Sequence, residues 1–475
     1  MPLELQSLPF DPASPRAALA QLPQSSAVFA LYGAEAHAEP YIGRTPNLRA
    51  RLQRLLQPSE KHPRRLQLAG RVRRIEWRLT GSEFESLLLQ FDLLEKVYGA
   101  KCLERMHLRA PAFIRFFGGN PYPRVAVTNR PGLREAEWAY GPYPSRAAAE
   151  RAAEETLKLF LLRRCTDDLS PDPSHPGCVY SEMKMCLAPC YMGCTGERYA
   201  EEAAAVEQFL STRGESRLVP LRALRERASE NLEFEAAATH HAQIQRVESV
   251  RSLSSELVRP LSRLRAVILQ AAANLGEVAV FLYEDGRLRG PASFSTLGMR
   301  IQNEQSGSTS LFAQPMALEP IPEAASEGTR HQGSENQGTG NREQGTEGRE
   351  QESEIDSDSA ESVVTGRDFS RAASPSPDAE HLSPETPAVK PIPRTQLESR
   401  LEALLAELSA PASHPSSTVR QAHLALLKRW YYRPEARRAG EIFFPDEENR
   451  WPLRSILRGI GRVAAGMWKS SGSAA

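Results

Sequence analysis

Apolar and polar positions alternate along the chain with two periods, and the changes of period mark the elements. Ala27 to Tyr32 is a short apolar run of strand type, Gly33 to Pro40 reads as a turn, and Pro40 to Gly43 as a short second strand. Leu48, Leu52, Leu55 and Leu56 then recur at helical spacing, which sets Arg44, Arg49, Arg51 and Arg54 around the polar flank. A third strand, Arg73 to Leu79, leads into a helix whose Phe84, Leu87, Leu88, Phe91, Leu94 and Val97 share one stripe. These elements predict a small α/β module over residues 1–105.

The next segment, 106–215, reads as a Cys-rich helical domain. Over 216–252 two apolar stripes, Leu221, Leu224 and Ala228, then Phe234, Ala237, His241, Ile244 and Val247, predict a helical hairpin. Asn231 interrupts it and is placed to cap the second helix. VAVFLYEDGRLRGPASF then reads as two strands around an Asp285-Gly286 turn, and HLALLKRWYYRPEARRAGEIFF as a helix and a strand. Segments 262–300 and 415–446 together predict a small β-containing unit. The last segment, 447–475, spaces Arg450, Arg454, Arg458 and Arg462 four apart, with Leu453, Leu457, Ile460, Val463 and Met467 opposite or beside them. That pattern predicts a basic amphipathic tail, weakened by Gly459 and Gly461 and suited to phosphate contact. The expected class is α+β and multidomain.

Composition adds a long disordered insertion to this picture. No aromatic residue occurs from Ala313 to Asp368, and HQGSENQGTGNREQGTEGREQESEIDSDS has almost nothing to bury, so 301–395 is expected to be a disordered linker. At 475 residues the chain has room for about three domains besides it. The 36 prolines and a mean hydropathy of -0.45 agree with an unpacked portion. No apolar run approaches the ~18 residues of a membrane span, and the N-terminus lacks the layout of a secretory signal. A cytoplasmic protein is expected, acting on neither a membrane nor a small-molecule substrate.

The formal net charge is zero, from 59 basic and 59 acidic residues, but the charges are segregated. Glu323 to Glu361 holds eleven acids and three Arg, whereas Arg44 to Arg78 holds ten Arg and Lys61 against Glu60 and Glu76. The second stretch is the footprint of a surface for phosphate, hence for nucleic acid. Five of the six cysteines, Cys165, Cys178, Cys186, Cys190 and Cys194, fall within thirty residues. In a reducing compartment such thiols point to a metal rather than to disulfides. Their softness suits iron and zinc equally.

VFALY followed by PYIGRTPNLRARL resembles the paired signature of the GIY-YIG nucleases, in the version found in the UvrC family of the bacterial excinuclease system. The resemblance implies cutting of one DNA strand with a single Mg or Mn ion, a tyrosine that helps deprotonate water, and an arginine that faces the phosphate. Tyr41 and Gly43 match the second half of the signature, Arg44 stands where the family usually has Lys, and Arg51 matches the catalytic arginine. With Arg49 and Arg54 these arginines are the expected DNA contacts. Phe29 takes the place of the first tyrosine, Gln90 that of the metal-binding glutamate, and Cys102 that of an asparagine. A neutral amide is a poor ligand for a hard divalent cation, so the domain is expected to bind DNA and to cut weakly or not at all unless Glu83 or Glu85 supplies the carboxylate.

The same family carries a 4Fe-4S cluster, which by resemblance falls on Cys165, Cys178, Cys186 and Cys190, with zinc as the alternative and Cys194 surplus. SENLEFEAAA is similar to the UVR motif that pairs with a homologous hairpin of UvrB, which implies partner contacts by Leu232, Phe234 and Ile244. In UvrC an RNase H-like nuclease and a helix-hairpin-helix pair follow the small unit, and the expectation is that this chain lacks both. The rival expectation is a catalytically inactive accessory relative that binds DNA and UvrB.

Overall fold

The computed structural model describes residues 4–35, 38–57, 68, 70–299, 392–410, 414–434 and 437–467. The N-terminal module runs β1 (Gln6–Pro9), α1 (Pro15–Gln21), β2 (Ala27–Gly33), β3 (Tyr41–Thr45), α2 (Leu48–Leu56), β4 (Val72–Leu79) and α3 (Glu83–Tyr98). Its strands form an antiparallel sheet in the order β1-β4-β2-β3. Side chains alternate between faces along a strand. Ala27, Phe29 and Leu31 of β2 therefore share a core with Leu19 of α1 and Leu52 and Leu56 of α2, while Val28 meets Leu89 and Leu93 of α3 on the other face. Asn47 starts α2 by accepting from Ala50 N–H (2.9 Å), and Ser82 starts α3 by accepting from Glu85 N–H (3.1 Å).

The Phe84–Leu94 stripe of α3 does not close the N-terminal module as its period implied. Phe84, Leu87, Leu88, Phe91 and Leu94 belong to a second core with Phe281, Tyr283 and Trp430 from far down the chain. The Phe84 ring stands edge-on to Phe281 at 5.2 Å and lies 5.4 Å from Trp430. Helix α3 is thus apolar on two sides.

The segment expected to be helical, 106–215, is built on strands as well. After α4 (Cys102–Arg105) come β5 (Ala112–Phe116), β6 (Val125–Thr128) and β7 (Ala139–Tyr143), then α5 (Arg146–Leu157), α6 (Val179–Glu182) and α7 (Gly196–Ser211). These strands read poorly in sequence because β5 is covered on both faces: Phe113 joins the α3 core, and Ala112, Ile114 and Phe116 join a separate one with α5 and α7. The hairpin follows as α8 (Glu215–Glu230) and α9 (Phe234–Arg251). Asn231 ends α8 and does not cap α9; Glu233 precedes α9 without a side-chain bond, and Leu232 makes the turn with φ +59°. β8 (Arg259–Pro260) then completes the sheet β6-β5-β7-β8.

The last unit contains β9 (Ala266–Ala271), β10 (Glu277–Glu284), β11 (Arg287–Ser295), α10 (Arg394–Leu408), α11 (Ser417–Tyr431), β12 (Glu441–Phe443) and α12 (Leu453–Ala464). Its sheet has the order β11-β10-β9-β12. Asp285 and Gly286 both have positive φ, the requirement of a tight turn between antiparallel strands. Along β10, Val278, Val280 and Leu282 face α10 and α12, and Ala279, Phe281 and Tyr283 face α3 and α11. The expected linker lies outside the described residues up to 391, but Arg394 already begins a helix, and Ile392 N–H donates to Gly298 O at 3.0 Å across the gap in sequence.

The expected basic tail is part of this unit instead. Ile456, Leu457, Ile460 and Val463 are buried against the sheet, and Arg462 donates to both carboxylate oxygens of Glu441 at 2.7 Å. Gly459 is a point of contact rather than a weakness, since a Cβ there would stand 2.5 Å from the Phe443 ring. Residues 468–475 lie outside the described residues. Because Phe84 joins the N-terminal module to this unit, Phe84→Ala should lower stability by about 3 kcal/mol, read as a fall in the urea midpoint of the full chain. A loss under ~1 kcal/mol would show that the aromatic contact does not hold α3 in place.

Candidate functional site

Register in β2 and β3 arranges the signature residues. Leu31 pairs with Tyr41, Phe29 with Gly43, and Val28 with Arg44. Tyr41 therefore lies on the Phe29 face, beside α2, with its ring 6.1 Å from that of Phe29, and Arg44 lies on the α3 face. Phe29 is 1 % exposed, and a Cβ on Gly43 would stand 2.8 Å from its ring tip, so this glycine is required by the aromatic opposite it. The side chains of Tyr41, Arg51 and Gln90 are half-buried and make no hydrogen bond among the described residues. Arg49 is otherwise engaged, its Nε donating to Leu22 O at 2.6 Å, while Arg54 Nε donates to Ala50 O at 3.2 Å on an exposed face. Cys102, where an asparagine was expected by resemblance, is fully buried in the α3 core, and burial raises its thiol.

Gln90 lies two helical turns beyond Glu83 and so on the same side of α3. Neither carboxylate that might replace a glutamate there is open. Glu83 accepts two bonds from Arg433, both at 2.7 Å, and one from Arg44 at 3.3 Å. The Arg433 hydrogen bonds, more than the charges of Arg433 and Arg44, hold its carboxyl below the usual range. Glu85 is buried and accepts from Gly81 N–H at 2.8 Å; desolvation pushes its pKa up. Among the described residues no group of three or more His, Cys, Asp or Glu converges to hold a metal ion. Arg433 carries no signal of a site residue in sequence, and its link to Glu83 spans too much chain for any local pattern to reveal.

The cysteines fall into two environments. Burial, then the Ala188 N–H bond acting against it, and then the thiols of Cys165, Cys178 and Cys190 govern Cys186, whose pKa is pushed up to about 11. Cys190 is raised mainly by burial and also by Cys178 and Cys165. Cys186 and Cys190 thus feel the other thiols, although the four form no group able to hold a metal ion among the described residues. Cys194 stands apart: burial raises it, and the charge that acts on it is Arg198. Cys178 begins α6, and Ala188 N–H donates to Cys186 Sγ at 3.3 Å. Arg163, two residues before Cys165, places Nη1 3.5 Å from that sulfur, a contact that the sequence pattern does not signal.

The predicted partner residues are split by the hairpin. Leu232 and Phe234 are 70 % and 69 % exposed at its turn. Ile244 is 3 % exposed inside the core formed with α5 and α7, so its apolar surface is spent within the chain.

A cavity of about 600 Å³ opens between α3 and β11, lined also by the end of α10 and by His423 of α11. His423 Nδ1 accepts from Leu288 N–H at 2.8 Å, and burial lowers its pKa to about 3, so the ring is neutral. Asp92 in the same wall is pushed up to about 7 by desolvation, against the attraction of Arg287 and with help from Glu95. Its folded pKa exceeds the unfolded one near ~3.9, so its contribution to stability is complete below that value and is lost as pH rises through about 7. Asp92→Asn should therefore flatten the stability profile between pH 5 and 8 and gain on the order of 1 kcal/mol over wild type at pH 8. Parallel profiles in denaturant titrations at these pH values would contradict this.

Comparison with known proteins bears on the same two regions. Residues 27–98 match the family model of the UvrC-like GIY-YIG domain, and residues 113–209 match that of the UvrC/Cho excinuclease middle domain. The chain is 28% identical over 278 residues to UvrABC system protein C of Carboxydothermus hydrogenoformans, covering 58% of this chain and 45% of that protein. It is 29% identical over 254 residues to the protein of that name from Alcanivorax borkumensis, covering 54% and 41%. A third, from Symbiobacterium thermophilum, is 29% identical over 263 residues, covering 54% and 41%. The chain thus spans less than half the length of these relatives. No solved structure matches it. No helix among the described residues is long and apolar enough to cross a membrane. A UvrC-type GIY-YIG sheet followed in order by a UvrC-type middle domain makes this chain a UvrC-related protein.

Proposed function

We propose that this chain is a DNA- and UvrB-binding member of an excision-repair system whose GIY-YIG module grips the phosphate backbone without cutting it efficiently. The observation that carries the reading is the wall of α3. Gln90 presents a neutral amide, Glu83 is held by Arg433 and Arg44, and Glu85 is buried against Gly81, so neither glutamate in the first turn of α3 is open to stand in for the carboxylate missing at Gln90. Hydroxide is then not generated near neutral pH by the route the family implies. Arg51, without a partner among the described residues, and exposed Arg54 still offer cations to phosphate, with Arg44 available whenever it leaves Glu83.

DNA binding is accordingly expected to fall steeply with salt and to depend little on Mg or Mn. On UvrB-bound, lesion-containing duplex with either metal, wild-type protein should nick poorly, and Gln90→Glu, alone or with Phe29→Tyr, should raise nicking well above it. Arg51→Ala in the restored background should remove ~100-fold or more of the gain, the scale of one fixed donor in a transition state. Efficient Mg-dependent nicking by wild type, indifferent to change at Gln90, would overturn the reading.

Two further features support the same assignment. Cys165, Cys178, Cys186 and Cys190 are, by the family resemblance, the ligands of a 4Fe-4S cluster, and thiolates have the chemistry such a cluster takes, although the described residues do not gather them into a group that holds a metal ion. Such a cluster would supply a rigid anionic cross-link for a segment that has few regular elements. At the hairpin, Leu232 and Phe234 present bare apolar surface at the end that a second helical pair would meet. Phe234→Ala should weaken calorimetric binding to a UvrB C-terminal fragment by ~2 kcal/mol while leaving stability nearly unchanged. Undiminished affinity would remove the turn from the interface.

A further inference from the structure

Glu83 is shared by two arginines from distant parts of the chain. Arg433, just past α11, donates from Nη1 to Oε2 and from Nη2 to Oε1, both at 2.7 Å, and Arg44 of β3 adds a bond from Nη1 to Oε1 at 3.3 Å. The cluster is open to solvent, since the side chains of Glu83, Arg44 and Arg433 are 44 %, 33 % and 23 % exposed. Arg429, four residues before Arg433 and exposed on the last turn of α11, has no hydrogen bond or ion pair among the described residues. The Arg433 hydrogen bonds first, against desolvation, and then the charges of Arg433, Arg44 and Arg429 hold the Glu83 carboxyl below its usual range, so it is an anion at neutral pH.

The cations outnumber the anion they hold. An arginine fork of two parallel N–H donors fits a phosphate as well as a carboxylate. An ion pair this exposed contributes little to stability, so another anion can take the carboxylate's place at small cost. The cluster is an open surface, not a pocket. A free phosphate ion would stay screened there, whereas a polyanion gains from several such contacts and from the counterions it releases.

We propose that Arg433 and Arg44, with Arg429 beside them, form a seat for a backbone phosphate of DNA, in which the Glu83 carboxylate is the resident stand-in that the phosphate displaces. The seat rests on the DNA-binding reading above and extends it, because α11 lies far along the chain from the GIY-YIG module and yet supplies part of the contact. Glu83 precedes Gln90 by two turns, about 10 Å along the helix axis, so its release returns no carboxylate to the Gln90 position.

The experiment follows binding of a fluorescent duplex to the full chain by anisotropy over a range of KCl, with circular dichroism as the check on folding. Glu83→Gln should bind at least about threefold more tightly than wild type at low salt, because it removes the competing charge and keeps the side-chain shape. Arg433→Ala should bind about tenfold more weakly and lower the salt slope by ~1, the signature of one lost phosphate contact. It should do the same in the Glu83→Gln background, where no ion pair is left to break; an ion pair that serves structure alone would show no further loss. If Arg433→Ala fails to fold, Arg429→Ala, which breaks no contact, should still lower the slope by ~1. Glu83→Gln binding no tighter than wild type, or unchanged affinity and slope in the arginine variants, would overturn the seat and leave the DNA reading standing. Loss of duplex from wild type, but not from Arg433→Ala, on adding inorganic phosphate at constant ionic strength would overturn it in favour of the free ion. Wild type that binds no duplex at low salt would sink the DNA reading, and the seat with it.

Discussion

The packing of α3 on two sheets at once is the constraint on which the rest of the molecule depends. Leu89 and Leu93 close one face of the GIY-YIG sheet, and Phe84, Leu87, Leu88, Phe91 and Leu94 close one face of the last sheet. Such a helix cannot shift to suit one partner without opening a gap against the other, because packed interiors do not deform continuously. Gln90 rides on this helix, as does Glu83, so the geometry opposite Arg44 is set in part by Phe281 and Trp430, residues with no place in the signature. Gly81 records how close the approach is: a Cβ there would fall 2.1 Å from the Ala272 backbone carbon.

This double duty also explains what the sequence made legible and what it hid. Elements β2, β3, α2, β4 and α3 are legible to within a residue or two because each is an apolar run or stripe bounded by turn or capping residues such as Gly33, Pro40, Asn47 and Ser82. The stripe on α3 was readable as apolar but not as to its partner, since periodicity records that a face is buried and not against what. Strands β5 and β7 escaped because burial on both faces removes the alternation that marks a half-exposed strand, and their short segments AFIRF and AYGPY lack the long apolar run that shows β2. In the hairpin, Ile244 and Phe234 share a sequence stripe, yet one is in the core and the other in solvent. The turn at Leu232 lets α9 bury only its later half.

The candidate sites follow the same division between local and distant information. Spacing displayed five cysteines within one short segment, and only the family resemblance set four of them apart from Cys194. Arg163 sits inside that segment too, but an arginine next to an arginine reads as surface charge until burial is known. The bonds from Arg433 to Glu83 bring together groups 350 residues apart in sequence, and no pattern on either side announces them. Their effect is chemical all the same. They take the one carboxylate nearest Arg44 out of play and keep it ionised.

The hydrogen bond between Ile392 and Gly298 brings the residues after β11 and those before α10 together at one point beside the last sheet. Strand β11 leaves the fold and α10 returns to it at one point, so the order β11-β10-β9-β12 is indifferent to how much chain lies between them. The GIY-YIG sheet and the hairpin each pack on elements other than this junction, so their cores do not depend on it.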